Sequence, residues 1–98
     1  MKIIHHFGAG VYIKETHFEA GEWGEKHAHS HDHLSLLASG TVRLKVDGEP
    51  QELTGPVVVT VKAGKSHQVL ALTNAVWNCI HATECTDPAQ IDNELMGD

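Results

Sequence analysis

Alternation of apolar and polar residues is the clearest signal in this chain. In Thr41-Val42-Arg43-Leu44-Lys45-Val46 every second residue is apolar, the period of a half-buried strand that turns Val42, Leu44 and Val46 towards a core. Asp47-Gly48 follows as a hairpin turn, so Gln51 to Leu53 is expected to return antiparallel. Val11 to Phe18, Leu34 to Ala38, Val57 to Val61, Gln68 to Leu72 and Val76 to Thr83 are further short apolar or β-branched runs, punctuated by Gly21, Gly24, Gly40, Ala63-Gly64 and Thr73-Asn74. Many short strands at even spacing predict an all-β sandwich or barrel. Near the C-terminus Asp87-Pro88 reads as a helix start, with Asp as N-cap and Pro at the first helical position. A short helix is expected over Ala89 to Met96. No repeat or linker interrupts the pattern, so residues 1–98 are read as one domain.

Charge narrows the range of partners. The formal net charge is −6, and the seven Lys and Arg residues form no cluster. Phosphate backbones require a concentrated basic surface, so nucleic acid is excluded as the expected partner. Met1 to Gly8 lacks the long apolar core of a signal peptide, and no apolar run approaches membrane-spanning length. A soluble, cytoplasmic chain with no membrane partner is expected. Its two cysteines, Cys79 and Cys85, are too few for a disulfide scaffold, so reduced thiols are the simpler expectation over their pairing.

Histidine changes the picture. Nine are present, and four alternate in His27-Ala28-His29-Ser30-His31-Asp32-His33. Alternate residues of an extended segment share a face, so this stretch crowds imidazoles together. Neutral imidazole is the commonest side-chain ligand of transition metals. Ser30-His31-Asp32 reads as a tight turn, which leaves His31 as a solvated turn residue or a gate at a pocket mouth. A loose metal-scavenging tract is the plainer alternative for the whole run. His5, His6 and His17 belong to no motif, and Tyr12 and Trp23 are expected to pack.

Five residues separate Gly21 from His27-x-His29, three separate His29 from His33, and six separate His33 from Gly40. This resembles the first motif of the cupin superfamily, with His33 where that family usually has a glutamate. Lys62-Ala63-Gly64-Lys65-Ser66-His67 is similar to the second motif, keeping its glycine and histidine with Lys62 at the proline position. Gly55 is displaced by one from that motif's opening glycine, and Ala71 replaces its closing asparagine. The two motifs cover residues 21–40 and 55–71. The resemblance implies a double-stranded β-helix, the jelly-roll barrel, followed here by the short C-terminal helix. It further implies one divalent metal (Mn, Fe, Ni, Cu or Zn) held by His27, His29, His33 and His67. For His33 a hydrogen-bonding role away from the metal stays open.

Four neutral imidazoles would leave such a site dicationic, favouring Lewis acidity. Trp77, Cys79 and His81 share one face of the last strand by parity. The resemblance places that strand beside the cavity, so Cys79 and His81 are candidate pocket residues, with ordinary core packing as the alternative. Glu15, Glu25 and His81 are candidate acids or bases. A metal-dependent oxidoreductase or dioxygenase acting on a small organic substrate is expected. A non-catalytic metal- or metabolite-binding module, and cupin isomerase or lyase chemistry, remain alternatives. A homodimer is also expected, with Ile3-Ile4 supplying an edge or exchanged strand.

Overall fold

The structure is a computed structural model that describes residues 1–24, 26, 28–83 and 86–87. Its eight strands are β1 (Lys2–Gly8), β2 (Val11–Phe18), β3 (His33–Ser39), β4 (Thr41–Val46), β5 (Glu49–Thr54), β6 (Val57–Val61), β7 (His67–Ala71) and β8 (Ala75–Ala82). They form a five-stranded sheet in the order β1-β2-β8-β3-β6 and a three-stranded sheet in the order β5-β4-β7. Every pairing is antiparallel. The fold is the all-β jelly roll, with no helix among the described residues. The helix expected over Ala89 to Met96 lies outside them.

The strands follow the alternation. In β4, Val42 and Leu44 are buried while Arg43 and Lys45 are exposed. In β8, Ala75, Trp77, Cys79 and His81 are buried and Val76, Asn78 and Ile80 are half-buried. The β4–β5 hairpin turns at Asp47-Gly48 with φ of 49° and 82°, the left-handed pair that matches the twist of the flanking strands. At Gly40, φ is 88° and an added Cβ would lie 2.2 Å from the Asn74 carbonyl oxygen. Only glycine lets the β3–β4 turn sit that close to the β7–β8 turn. A Cβ on Gly55 would similarly meet the Leu37 carbonyl oxygen at 2.8 Å.

Differences from the expected strands have local causes. β7 starts at His67, one residue earlier than the apolar run, because His67 pairs with Val46 in the β4–β7 ladder. Residues 28–32 form no strand, and the chain bends at Ser30 and His31, so strand parity does not govern His29. Ile3-Ile4 belongs to a longer strand, β1, which pairs with β2 of its own chain over seven residue pairs.

Phe18, Leu37, Val42, Leu44, Leu53, Val69, Ala71, Ala75, Trp77 and Cys79 form one apolar core between the sheets. Inward faces are graded along the strands. From one end of the barrel to the other, β3 presents His33, Ser35 and Leu37, β7 presents His67, Val69 and Ala71, and β8 presents His81, Cys79 and Trp77. Apolar burial of this kind contributes roughly 25 cal/mol per Å². It holds one end of the barrel and leaves the other end to imidazoles.

Candidate metal centre

His33 opens β3, His67 opens β7 and His81 lies next to the end of β8. Antiparallel order brings these three strand ends to the same end of the barrel. His33, His67 and His81 are buried, with exposures of 4%, 3% and 2%, and His29 joins them at 7%. Both ring nitrogens of His33 and of His67 are shielded from solvent. Ring centroids of His29 and His33 are 4.9 Å apart, His33 and His81 are 4.5 Å apart, and His29 and His81 are 4.9 Å apart. His67, on the other sheet, stands 5.4 Å from His29 and 5.3 Å from His33.

His29 occupies its place although no strand holds it. The N–H of Gly64 donates to its carbonyl at 2.9 Å. Three residues on, the Asp32 carboxylate accepts the Ala63 N–H at 2.7 Å and lies 3.7 Å from Lys62 Nζ. The Ala63 hydrogen bond, helped by the Lys62 charge, holds the Asp32 carboxyl below the usual carboxylate range. The β6–β7 loop is fixed in turn by Asp47, which accepts the Ser66 N–H at 2.9 Å, while Ser66 accepts the Asp47 N–H at 2.8 Å. The two motif segments are thus clamped together through backbone amides.

The donor set fits a transition metal. Among the described residues, His29, His33 and His81 each offer a ligand atom, and these atoms lie within 4.8 Å of one another. Nitrogens bound tetrahedrally to one zinc-like ion at about 2.1 Å lie about 3.4 Å apart, so pairs at the 4.8 Å limit must draw together by roughly an ångström or more to share an ion. Burial, reinforced by the neighbouring rings of His33, His29, His31 and His67, pushes the His81 imidazole down to about 3. His81 is therefore neutral at physiological pH, the state in which imidazole ligates.

The expected ligands are placed as follows. His29, His33 and His67 converge at one end of the barrel. His27 lies outside the described residues. His81 joins His29 and His33 as a third convergent donor; its strand parity with Trp77 was the signal that turned it inward. Cys79, two residues nearer the core, accepts the Trp77 indole N–H at 3.2 Å and lies 3.8 Å from Ser35 Oγ. It is a free thiol, and burial pushes its pKa up.

His31 is half-buried, and its Nε2 stands 3.3 Å from His81 Nδ1. Its contact replaces the expectation of a purely solvated turn residue, because the bend at residues 30–31 turns the ring inward. Sequence reasoning did not single out Asp32, whose partner Ala63 becomes its neighbour only in the folded chain. His6 and His17 bracket the Glu15 carboxylate on the outer face of β1 and β2, whereas His5 Nδ1 lies 2.7 Å from the Tyr12 hydroxyl. Glu25 lies outside the described residues. Tyr12 packs at 0% exposure, but Trp23 is 57% exposed; it bridges to Leu70 beside β7 and stands on the outer sheet face.

The family model for the cupin domain matches residues 14–81. The chain belongs to the cupin family, and its histidine cluster is a donor set that could hold a metal ion. No curated protein matches the sequence. Solved structures share the fold. A cupin superfamily protein from Desulfitobacterium hafniense is 20% identical, with a TM-score of 0.72 over 84% of this chain and 78% of that one. An RmlC-like cupin from Shewanella frigidimarina is 22% identical, with a TM-score of 0.64 over 81% and 80%. A variant of the salicylate 1,2-dioxygenase of Pseudoaminobacter salicylatoxidans, in complex with gentisate, is 11% identical, with a TM-score of 0.75 over 94% of this chain and 26% of that one. No described helix is long and apolar enough to cross a membrane.

Proposed function

We propose that this cupin holds one divalent transition ion through the ring nitrogens of His29, His33 and His81, with His67 facing them, and acts as a metal-dependent oxidoreductase of the dioxygenase type on a small organic substrate. The observation that carries this is the convergence of three buried imidazoles within 4.8 Å. When bound, the ion supplies Lewis acidity and, as iron, manganese or copper, a redox couple for O₂ chemistry. The chain supplies the rest. His81 stays neutral because it is buried. The Gly64 amide and Asp32 fix the His29 segment. The apolar core beneath Cys79 closes the barrel to water from the far end. Support for the dioxygenase class is the gentisate-bound dioxygenase that shares this fold.

The test is to load the protein separately with Mn, Fe, Ni, Cu and Zn, dialyse it, and measure retained metal and O₂ consumption with diketones, catechols and flavonols. One equivalent retained by the wild type, lost on His33→Ala with His81→Ala, and O₂ uptake with a redox-active ion are expected. Equal retention by the double variant would overturn the site. Retention without turnover would favour the non-catalytic binding module.

We also propose a homodimer. Its support is the outer edge of β1, which among the described residues pairs only on its β2 side and leaves Ile3 42% exposed; unpaired edges favour strand addition. A monomeric mass by light scattering would refute it.

A further inference from the structure

The outer face of the three-stranded sheet carries a second feature, on the side of β7 opposite His67. Register aligns Trp23, Leu70, Arg43 and Glu52 in one row across the strands. Gln68 and Lys45 stand together in the neighbouring row. Trp23, Leu70, Arg43, Lys45 and Gln68 line a cavity of about 280 Å³.

Three properties distinguish this patch from ordinary surface. First, the other tryptophan, Trp77, is 3% exposed with its N–H donated to Cys79, whereas Trp23 leaves 57% of its surface to solvent. An aromatic ring of that size in water is costly unless something covers it. Second, the backbone that carries the ring is held in place. Backbone bonds from Gly21 N–H to the Ala71 carbonyl (2.8 Å), from Ala71 N–H to the Glu22 carbonyl (2.8 Å) and from Gly24 N–H to the Val69 carbonyl (2.9 Å) stitch residues 21–24 to β7. Gln68 Nε2 adds a bond to the Gly24 carbonyl at 3.1 Å. Such preorganisation removes much of the ordering cost of binding.

Third, the charge is of the wrong sign for the rest of the molecule. The chain carries −6. Lys62 and Lys65 each have a carboxylate partner, Asp32 and Asp47. Arg43 and Lys45 take part in no ion pair among the described residues, as is also true of Lys2, Lys14 and Lys26. What sets these two apart is that they stand two residues apart on the exposed face of β4, both lining the cavity beside Trp23, with Glu52 opposite Arg43 in register.

We propose that this cavity binds a small aromatic carboxylate, its ring lying on Trp23 and Leu70 and its carboxylate held by Arg43 and Lys45. Arginine offers a planar pair of donors matched to a carboxylate, and an indole face stacks on a planar ring. The cavity volume suits one or two fused rings, at the lower end of small-molecule sites. Two cations do not make a polyphosphate surface. The site is independent of the histidine cluster and of any metal there.

The full chain, metal-free and ¹⁵N-labelled, is titrated with 2-naphthoate and with its neutral counterpart 2-naphthamide while the two indole N–H signals are followed by NMR. Trp23→Phe assigns the signals, and Trp77 serves as the internal control. The Trp23 signal is expected to move saturably with a Kd of about 1 mM or tighter. The amide should bind at least about tenfold more weakly, and Arg43→Gln with Lys45→Gln should abolish the difference between acid and amide. No saturable shift, equal binding of acid and amide by the wild type, or movement of Trp77 and the histidine signals in place of Trp23 would overturn the proposal. Pairing the titration with the His33→Ala, His81→Ala variant separates the two sites: loss of metal there with an unchanged Trp23 response is the expected result.

Discussion

His31 Nε2 lies 3.3 Å from His81 Nδ1, across fifty residues of sequence. Metal-bound histidines commonly have their second ring nitrogen hydrogen-bonded, which fixes tautomer and orientation. His31 supplies that partner to His81 and so acts on a proposed ligand from outside the ligand set. Replacing His31 with Ala is expected to lower metal affinity about tenfold or more while one equivalent still binds at saturation. Competition with a chromophoric chelator measures this. An unchanged affinity would return His31 to the role of a turn residue.

His67 tests whether the two sheets share the ion. It is the cluster member on the three-stranded sheet, while His33 and His81 belong to the five-stranded one. His67→Ala is expected to reduce the metal retained after dialysis, read by elemental analysis, without displacing the strands, read by circular dichroism. Full retention at unchanged affinity would mean that His67 faces the ion without holding it.

Acid should destabilise the metal-free protein, and His81 gives the sign. Its folded-state pKa is pushed down to about 3 by burial first and by the neighbouring imidazoles second, against an unfolded value of about 6.5. Between those values the unfolded chain binds the proton and the folded chain does not. Stability is therefore full above the unfolded value and falls with decreasing pH, by at most about 1.4 kcal/mol per pH unit from this one group. Urea midpoints of the metal-free protein at pH 7 and pH 5 should differ in that direction. The difference should shrink in His81→Gln.

Cys79 is expected to be chemically inert in the folded state. Burial raises its pKa, and thiolate is the reactive form. A thiol reagent such as dithionitrobenzoate should modify it only at the rate of unfolding, followed by mass spectrometry of the peptide that contains it. Cys79→Ala removes the acceptor of the Trp77 N–H at 3.2 Å and should destabilise by about 1–3 kcal/mol, the cost of an unsatisfied buried donor. Rapid labelling of folded protein would return Cys79 to consideration as a pocket nucleophile.

Close backbone approach at Gly40 gives a structural prediction. A Cβ there would stand 2.2 Å from the Asn74 carbonyl oxygen at a φ of 88°. Gly40→Ala should lower the thermal midpoint well beyond the effect of Gly48→Ala. Gly48 has a similar φ, 82°, and open space around it. Equal effects would mean that backbone conformation alone matters at both positions.

The sequence by itself determined most of the strands, because a half-buried strand writes its period of two into the order of residues. Thr41–Val46 stands where the alternation puts it, and Val57–Val61 where a run of β-branched residues puts it. Glycine and histidine spacing was enough to indicate the family and to single out His27, His29, His33 and His67 as candidate ligands, of which His27 lies outside the described residues. His81 was legible as a candidate pocket residue on the inward face of the last strand, not as one of the expected ligands. That it meets His29 and His33 depends on β8 lying between β2 and β3, a pairing between distant segments that no local pattern encodes. The same holds for Asp32, whose partner Ala63 comes from another loop. It holds for Trp23 too, exposed because residues 21–24 attach to the outer margin of β7. Periodicity fixes which face a side chain takes. Sheet order and loop-to-loop hydrogen bonds decide what that face meets.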